Sequence, residues 1–390
     1  MPDPEMPIFV SIGIIAWNEE EAIAPMLESL FRQTFFAELA RRRGRCEIIC
    51  LANGCTDKTC EVAGKIFSDQ TKSHPHADLF SGRVVELKQR GKINAWNAFV
   101  HSVSSKSAGF LFLMDADIVI HNRETLWNML FTLLFNREAN IAVDRPCKDI
   151  EFKPRNTWRE KISLAASRLT RSSAAQLCAQ LYCIRAEIAR NIYLPKDLAA
   201  CDDGFIKSLV CTDFLAHPVW PMRILPARNA SHTFEAYTSL KTIFKNQKRQ
   251  AIGQTIVHIL VDNYLRKLSP IERSKLAETL RKKEIEDPNW LKRLVSTHIG
   301  GTRFFWQLYP GLLGHRFRRL SQLSFLDRII CLPAAIAGFL VSLCSCFAAS
   351  RFLKSGCVEY WPRAKRNGLR RFDSGERRLA RLTPLKAHQD

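Results

Sequence analysis

The chain has 390 residues, 46% of them hydrophobic, with 58 Lys and Arg against 38 Asp and Glu and a formal charge of +20. The apolar share supplies a sizeable core and excludes a disordered chain, and the length predicts one medium catalytic domain with additions. The basic excess calls for an anionic partner, which nucleic acid, a phosphorylated metabolite or the negatively charged leaflet of a membrane would each satisfy.

The opening Met1-Pro-Asp-Pro-Glu5 carries acids and prolines where a secretory signal carries a basic start, so the catalytic part is expected in the cytosol. Ile8 to Ala16 is an apolar run too short to span a bilayer and reads as a strand. It ends at Trp17-Asn-Glu-Glu-Glu21, and a helix follows with Ile23, Met26, Leu27, Leu30 and Phe31 along one face. Glu47 to Ala52 is a second short strand, closed by Asn53-Gly-Cys-Thr-Asp57 and followed by a helix from about Lys58 to Phe67. Arg83 to Leu87 is a third, and Gly91-Lys-Ile-Asn-Ala-Trp-Asn97 opens another helix. Strands separated by helix-length segments predict a doubly wound, mostly parallel α/β sheet flanked by helices.

The fourth strand carries the most informative feature, Asp115 and Asp117, which follow five apolar residues and precede an apolar triplet. In an open α/β sheet such a strand tip faces the ligand crevice. Two carboxylates this close repel each other unless a cation joins them, and hard oxygen ligands suit Mn²⁺ or Mg²⁺ that also holds a diphosphate. An Asp-rich turn at a strand end is the bland alternative. Beyond it, residues 122 to 190 read as helical patterns with Arg/Lys pairs, and Leu198 to Ile206 sets Asp202 and Asp203 at the start of an apolar helix, where they would also serve as a helix-capping pair.

The thirteen cysteines are scattered without paired CxxC sets, which speaks for buried, reduced thiols over a zinc site or a disulfide framework. His232 reads as a surface or hydrogen-bonded histidine before a metal ligand. Asn53-Gly54 makes a good turn whatever the function, and Lys92 stands in the first turn of a helix, unfavourable for a cation unless an anion binds there. Arg249 lies among Lys241, Lys245 and Lys248 on a helix that is otherwise a basic face.

Taken in this order, the elements resemble the nucleotide-sugar-dependent family 2 glycosyltransferases of the GT-A fold, over roughly residues 8 to 255. In that family the first strand ends in a Pro-Ala-Tyr-Asn-Glu-like turn, matched by Ile15-Ala-Trp-Asn-Glu19, so the resemblance implies that Ala16, Asn18 and Glu19 line the nucleotide pocket. The second strand usually ends Asp-Asp-Gly-Ser-Thr-Asp. Ala52-Asn-Gly-Cys-Thr-Asp57 is similar, with Asn53 in place of an acid and Asp57 retained; a UDP-sugar donor is the default, although an amide donates as well as accepts. Gly91-Lys92-Ile-Asn-Ala95-Trp-Asn97 matches a stretch whose lysine would meet base or phosphate. Asp115-Ala-Asp117 matches the Asp-X-Asp for diphosphate and metal. Asp202-Asp203 is similar to the pair that provides the catalytic base, and Asn246-Gln-Lys-Arg-Gln250 keeps only Arg249 of a Gln-x-x-Arg-Trp motif. Processive members usually hold that motif intact, so its erosion implies transfer of a single sugar rather than polymer synthesis.

The chemistry needs these residue types. Departure of a nucleoside diphosphate calls for positive charge at the bridging oxygens, from the metal and from Lys92 or Arg249. The acceptor hydroxyl is a poor nucleophile, and a carboxylate such as Asp203 accepts its proton. Two other classes compete. A nucleotidyltransferase would show a Gly-rich basic loop after the first strand, where the chain is acidic. An inactive basic binding protein would have lost the acids, and no helix-turn-helix, zinc-finger or RNA-binding aromatic motif is evident, which leaves nucleic acid out.

Ile329 to Ala349 has no charged residue over 21 positions, and basic residues flank it: Arg316, Arg318, Arg319 and Arg328 before, and eleven Lys or Arg from Arg351 to Lys386 after. A single span would carry one basic flank outward, so a re-entrant or interfacial hairpin bent near Pro333 or Gly338 is expected. The aromatic run 304–309 is expected at the headgroup level. The expected division is a GT-A catalytic domain over residues 1–235, a helical extension with interfacial segments over 236–325, and a membrane segment (329–349) with a basic tail over 326–390. Placement at the cytoplasmic membrane face points to a lipid or saccharide acceptor.

Overall fold

Nearly continuous apolar residues form strand β1 (Phe9–Ala16), an interior strand of the sheet, and alternate between two cores. Val10, Ile12, Ile14 and Ala16 face one core. On the other face Gly13 leaves room for Phe99, since a Cβ there would lie 2.8 Å from the ring. The computed structural model describes residues 7–153, 157, 160–161, 163–164, 176–198, 201–237, 239–302, 308 and 313–357. The aromatic run at 304–309 lies outside them save residue 308, as does the basic tail from 358 onward.

Helices α1 (Ile23–Phe31) and α2 (Phe35–Arg41) lead to β2 (Arg45–Asn53), and α3 (Thr59–Ser73) leads to β3 (Phe80–Leu87). Ile23, Met26, Leu27 and Leu30 of α1 are fully buried, each stabilising the fold by about 2 kcal/mol. Next come α4 (Lys92–Ala98), running into a π-helical turn (Phe99–Val103), then β4 (Phe110–Asp115), β5 (Val119–Ile120) and α5 (Thr125–Phe135). Segment 122–190, read as helical, holds α5 and the short helix α6 (Ala186–Arg190), but between them lie strands β6 (Ile141–Lys148) and β7 (Leu181–Arg185). β6 escapes an apolar reading because Asp144, Arg145 and Pro146 interrupt it. Then follow α7 (Asp202–Val210), β8 (Ile224–Phe234) and α8 (Leu240–Asn263).

The sheet order is β3-β2-β1-β4-β7-β6-β8-β5. β3, β2, β1 and β4 are parallel, in keeping with the reading of the sequence, whereas β7 runs antiparallel to both β4 and β6, and β8 pairs parallel to β6. Helices cover both faces. The carboxyl ends of β1, β2 and β4 open side by side, the place where open α/β sheets bind ligands.

Past α8 lie α9 (Pro270–Ser274), α10 (Leu276–Glu286), α11 (Trp290–Gly300), α12 (His315–Leu320) and α13 (Phe325–Lys354). The hairpin expected at Pro333 or Gly338 does not form: α13 is one helix through both. Pro333, which has no amide to give the helix, stands on an exposed side of it. At Gly338 the buried Arg316 lies against the helix and donates to the Gly338 carbonyl at 3.0 Å and to Ser342 Oγ, fastening the turn that a bend would have opened. Asp327–Lys354 is long and apolar enough to cross a membrane by length and composition.

Candidate active site

Two loops at the crevice are sewn together by the side chains that flank them. Asn18, at φ +53°, accepts from the Thr56 amide at 2.7 Å and donates to Thr56 Oγ1 at 3.1 Å. Asp57 accepts from the Glu20 amide at 3.2 Å and from Thr59 N and Oγ1 at 3.1 and 2.5 Å, while the Glu19 amide donates to Thr59 Oγ1 at 2.8 Å. The Asn53 side-chain oxygen accepts from the Gly91 amide at 3.0 Å, joining the end of β2 to the start of α4, and Gly91 takes φ +143°, a conformation that favours glycine. Ala16 is wholly buried, so it shapes the floor and offers no exposed side chain. Beside it the Arg90 guanidinium stands 3.6 Å over the Trp17 ring, a cation–π contact at the mouth of this region.

The acidic residues far apart in the chain converge on one lysine. Lys92 Nζ lies 2.8 Å from Asp115 Oδ1 and 3.8 Å from Asp202 Oδ2, and it donates to the Ala179 carbonyl at 3.3 Å. Burial works against the ammonium charge, but Asp115 and Asp202 outweigh it and hold Lys92 protonated, above its ordinary range. This lysine, which the resemblance directs at base or phosphate, stands among the acids in the fold. Asp202 is buried at the start of α7 and Asp203 half-buried beside it. Burial, and then the Asp202 charge, raise the Asp203 carboxyl to about 6, opposed by a 2.7 Å bond from the Gly204 amide and by Lys92. A carboxyl held there is a stronger proton acceptor than an ordinary aspartate. Asp117 sits half-buried between β4 and β5. Arg249 is half-buried on α8, which packs against α7.

The segment read as helical supplies residues that no spacing announced. Gln180 accepts the Asp115 amide through its carbonyl at 2.9 Å, and Tyr182 accepts from Trp96 Nε1 at 2.6 Å beneath Lys92. His232, on β8, is the hydrogen-bonded histidine of the two readings: it is fully buried, its Nδ1 lies 2.7 Å from Asp144, and its Nε2 lies 3.3 Å from Gln180 Oε1. Cys178, whose thiol burial pushes up to about 12, donates to the same Gln180 oxygen at 3.5 Å. All thirteen cysteines are free thiols, eight of them buried as expected, whereas Cys344 and Cys357 are exposed.

Among the described residues no group of three or more His, Cys, Asp or Glu is arranged to hold a metal ion. Mg²⁺ and Mn²⁺ are commonly held by only one or two carboxylates, with substrate phosphates and water completing the shell, and Asp117 at the crevice, with Asp115 beside it, fits that pattern.

A parallel α/β crevice with an Asp-X-Asp strand tip and a lysine among acids is an arrangement of the GT-A type. Residues 11–185 match glycosyl transferase family 2, and the chain is a glycosyltransferase with a family 2 domain over those residues. No curated protein matches the sequence. Among solved structures, a mannosyltransferase from Pyrobaculum calidifontis in complex with GDP-Man and Mn²⁺ is similar at 17% identity and a TM-score of 0.51, covering 90% of this chain and 89% of that one. S. aureus TarS residues 1–349 is more distant, at 12% identity and a TM-score of 0.42 over 90% of this chain and 92% of that one. The first of these likenesses supports the fold.

Proposed function

We propose that the protein transfers a single sugar from a nucleoside diphosphate sugar, a UDP-sugar by default, to a hydroxyl of a lipid or saccharide acceptor at the cytoplasmic membrane face, with inversion at the anomeric carbon. The observation that carries this reading is the convergence of Asp115, Asp202 and Asp203 around Lys92. Asn18, Glu19, Asn53 and Asp57 frame the nucleotide, the first and last through the loops they tie together. Asp117, with Asp115, would hold Mn²⁺ or Mg²⁺, which when bound neutralises diphosphate charge.

Asp203 accepts the proton of the acceptor hydroxyl as its oxygen bonds C1 from the face opposite the diphosphate, whose bridging oxygen keeps the electron pair of the broken C1–O bond. Lys92 holds the carboxylates in their places, and Arg249 is the remaining candidate for the departing phosphates. The test is nucleoside diphosphate release by the full chain, measured over a panel of nucleotide sugars with and without Mn²⁺, with dispersed membrane lipid or oligosaccharide as acceptor. Metal-dependent release with one donor, coupled to a glycosylated product of inverted configuration, is expected; release that never depends on acceptor, or product of retained configuration, rejects the proposal.

A further inference from the structure

Helix α13 turns its apolar side outward. Phe325, Ile329, Leu332, Ile336, Leu340 and Phe347 are each at least 44% exposed, at steps of three, four or seven residues that place them on one stripe about 33 Å long. The opposite side is small and partly polar: Cys331, Ala335, Ser342, Ser345, Cys346 and Ala349 are buried, and Cys346 and Ala349 belong to the same core as the sheet. A surface helix of a water-soluble domain has the reverse arrangement. Exposed Arg318 and Arg328 stand at one end of the stripe and Arg351 and Lys354 at the other.

We infer that α13 is an in-plane membrane anchor, its outer stripe sunk among the acyl chains of an anionic leaflet and its inner face kept in the catalytic domain, so that the helix does not cross the bilayer. The inner face is bonded to α8: Ser342 Oγ donates to Gln247 Oε1 at 3.0 Å, and Lys248 Nζ lies 4.7 Å from the Phe352 ring. Crossing would strip these contacts and carry the buried Arg316, bonded to Gly338 and Ser342, into hydrocarbon. A second copy is a poorer occupant of the stripe. Both ends are basic, so parallel and antiparallel pairing alike would set like charges together, whereas anionic headgroups complement both ends at once. The inference rests on the membrane placement proposed above and fixes its form.

The experiment uses the full chain with sealed vesicles of phosphatidylcholine, with and without phosphatidylglycerol. Sedimentation with the anionic vesicles should exceed that with neutral ones by about tenfold and weaken in high salt. The double variant Ile336→Glu, Leu340→Glu should lose at least about tenfold in bound fraction while its thermal shift with nucleoside diphosphates is unchanged, which shows it folded. In a Cys344→Ser background, an impermeant maleimide added outside should label both native Cys357 and a cysteine placed by Ser321→Cys. Protection of one end means a span and overturns the inference, as does unchanged binding of the double variant, or a stable dimer that ignores vesicles. An unsubstituted chain that binds nucleoside diphosphates but no vesicles sinks the anchor alone; membrane binding without any sugar transfer sinks the transferase reading alone.

Discussion

Lys92 and Asp115 form an ion pair of 2.8 Å at the tip of the central parallel strands, with little of either side chain exposed. Replacing the lysine by Met would leave Asp115, Asp202 and Asp203 facing one another without the cation. Breaking one partner of so enclosed a pair costs about 3 kcal/mol. Lys92→Met should therefore lower the denaturant midpoint, and it should move the rise of activity with pH upward, since the cation that lowers the Asp203 carboxyl is gone. Equal stability and an unmoved pH profile would deny the lysine this part.

Asp203 gives a second expectation. With its carboxyl raised from 3.8 to about 6, activity should rise as pH passes through about 6 and the base becomes ionised. The same shift acts on folding with the opposite consequence. A carboxyl whose folded value is raised adds stability below its unfolded value, and that contribution disappears as pH climbs through about 6. Asp203→Asn should reduce turnover by about a hundredfold or more while nucleoside diphosphates still raise the melting temperature as in the parent. It should also flatten the acid limb; a variant with parent turnover removes Asp203 from the chemistry.

Asp117 is separable from both. Asp117→Ala should abolish the extra thermal shift that Mn²⁺ adds to nucleoside diphosphate binding and leave the metal-free shift in place, with the fold little changed because the side chain is only half-buried. A Mn²⁺ response of parental size in this variant would assign the ion elsewhere.

The buried Asp144–His232 pair predicts a stability effect instead. Both side chains are fully enclosed, so Asp144→Ala strands the imidazole and should destabilise the protein by roughly 1–3 kcal/mol. Asp144→Asn keeps an acceptor for the ring and should recover most of that in equilibrium unfolding. If alanine and asparagine behaved alike, the bond to His232 would have no measurable weight.

The parallel half of the fold was readable because β1, β2 and β4 are apolar on both faces and end in polar turns, so composition and position agree. The other half was not. β6 mixes Asp144, Arg145 and Pro146 into a strand, β7 has only five residues, and β8 alternates buried and exposed positions around Pro226 and Asn229. Their pairing comes from neighbours distant in the chain, which propensity does not see. The site divides the same way. Asp115, Asp117, Asp202 and Asp203 stand in local pairs, visible in the sequence; that Lys92 would face them, or that Gln180 would join Asp115 to His232, depends on the unread strands. Likewise the apolar length of 329–349 was plain, but the fastening of Gly338 by Arg316 was not.

The stitching of Asn18 to Thr56 and of Asp57 to Glu20 and Thr59 has a kinetic corollary. Segments already held in register surrender little freedom when an incoming molecule docks, so capture should proceed near lock-and-key, without a slow ordering phase ahead of it.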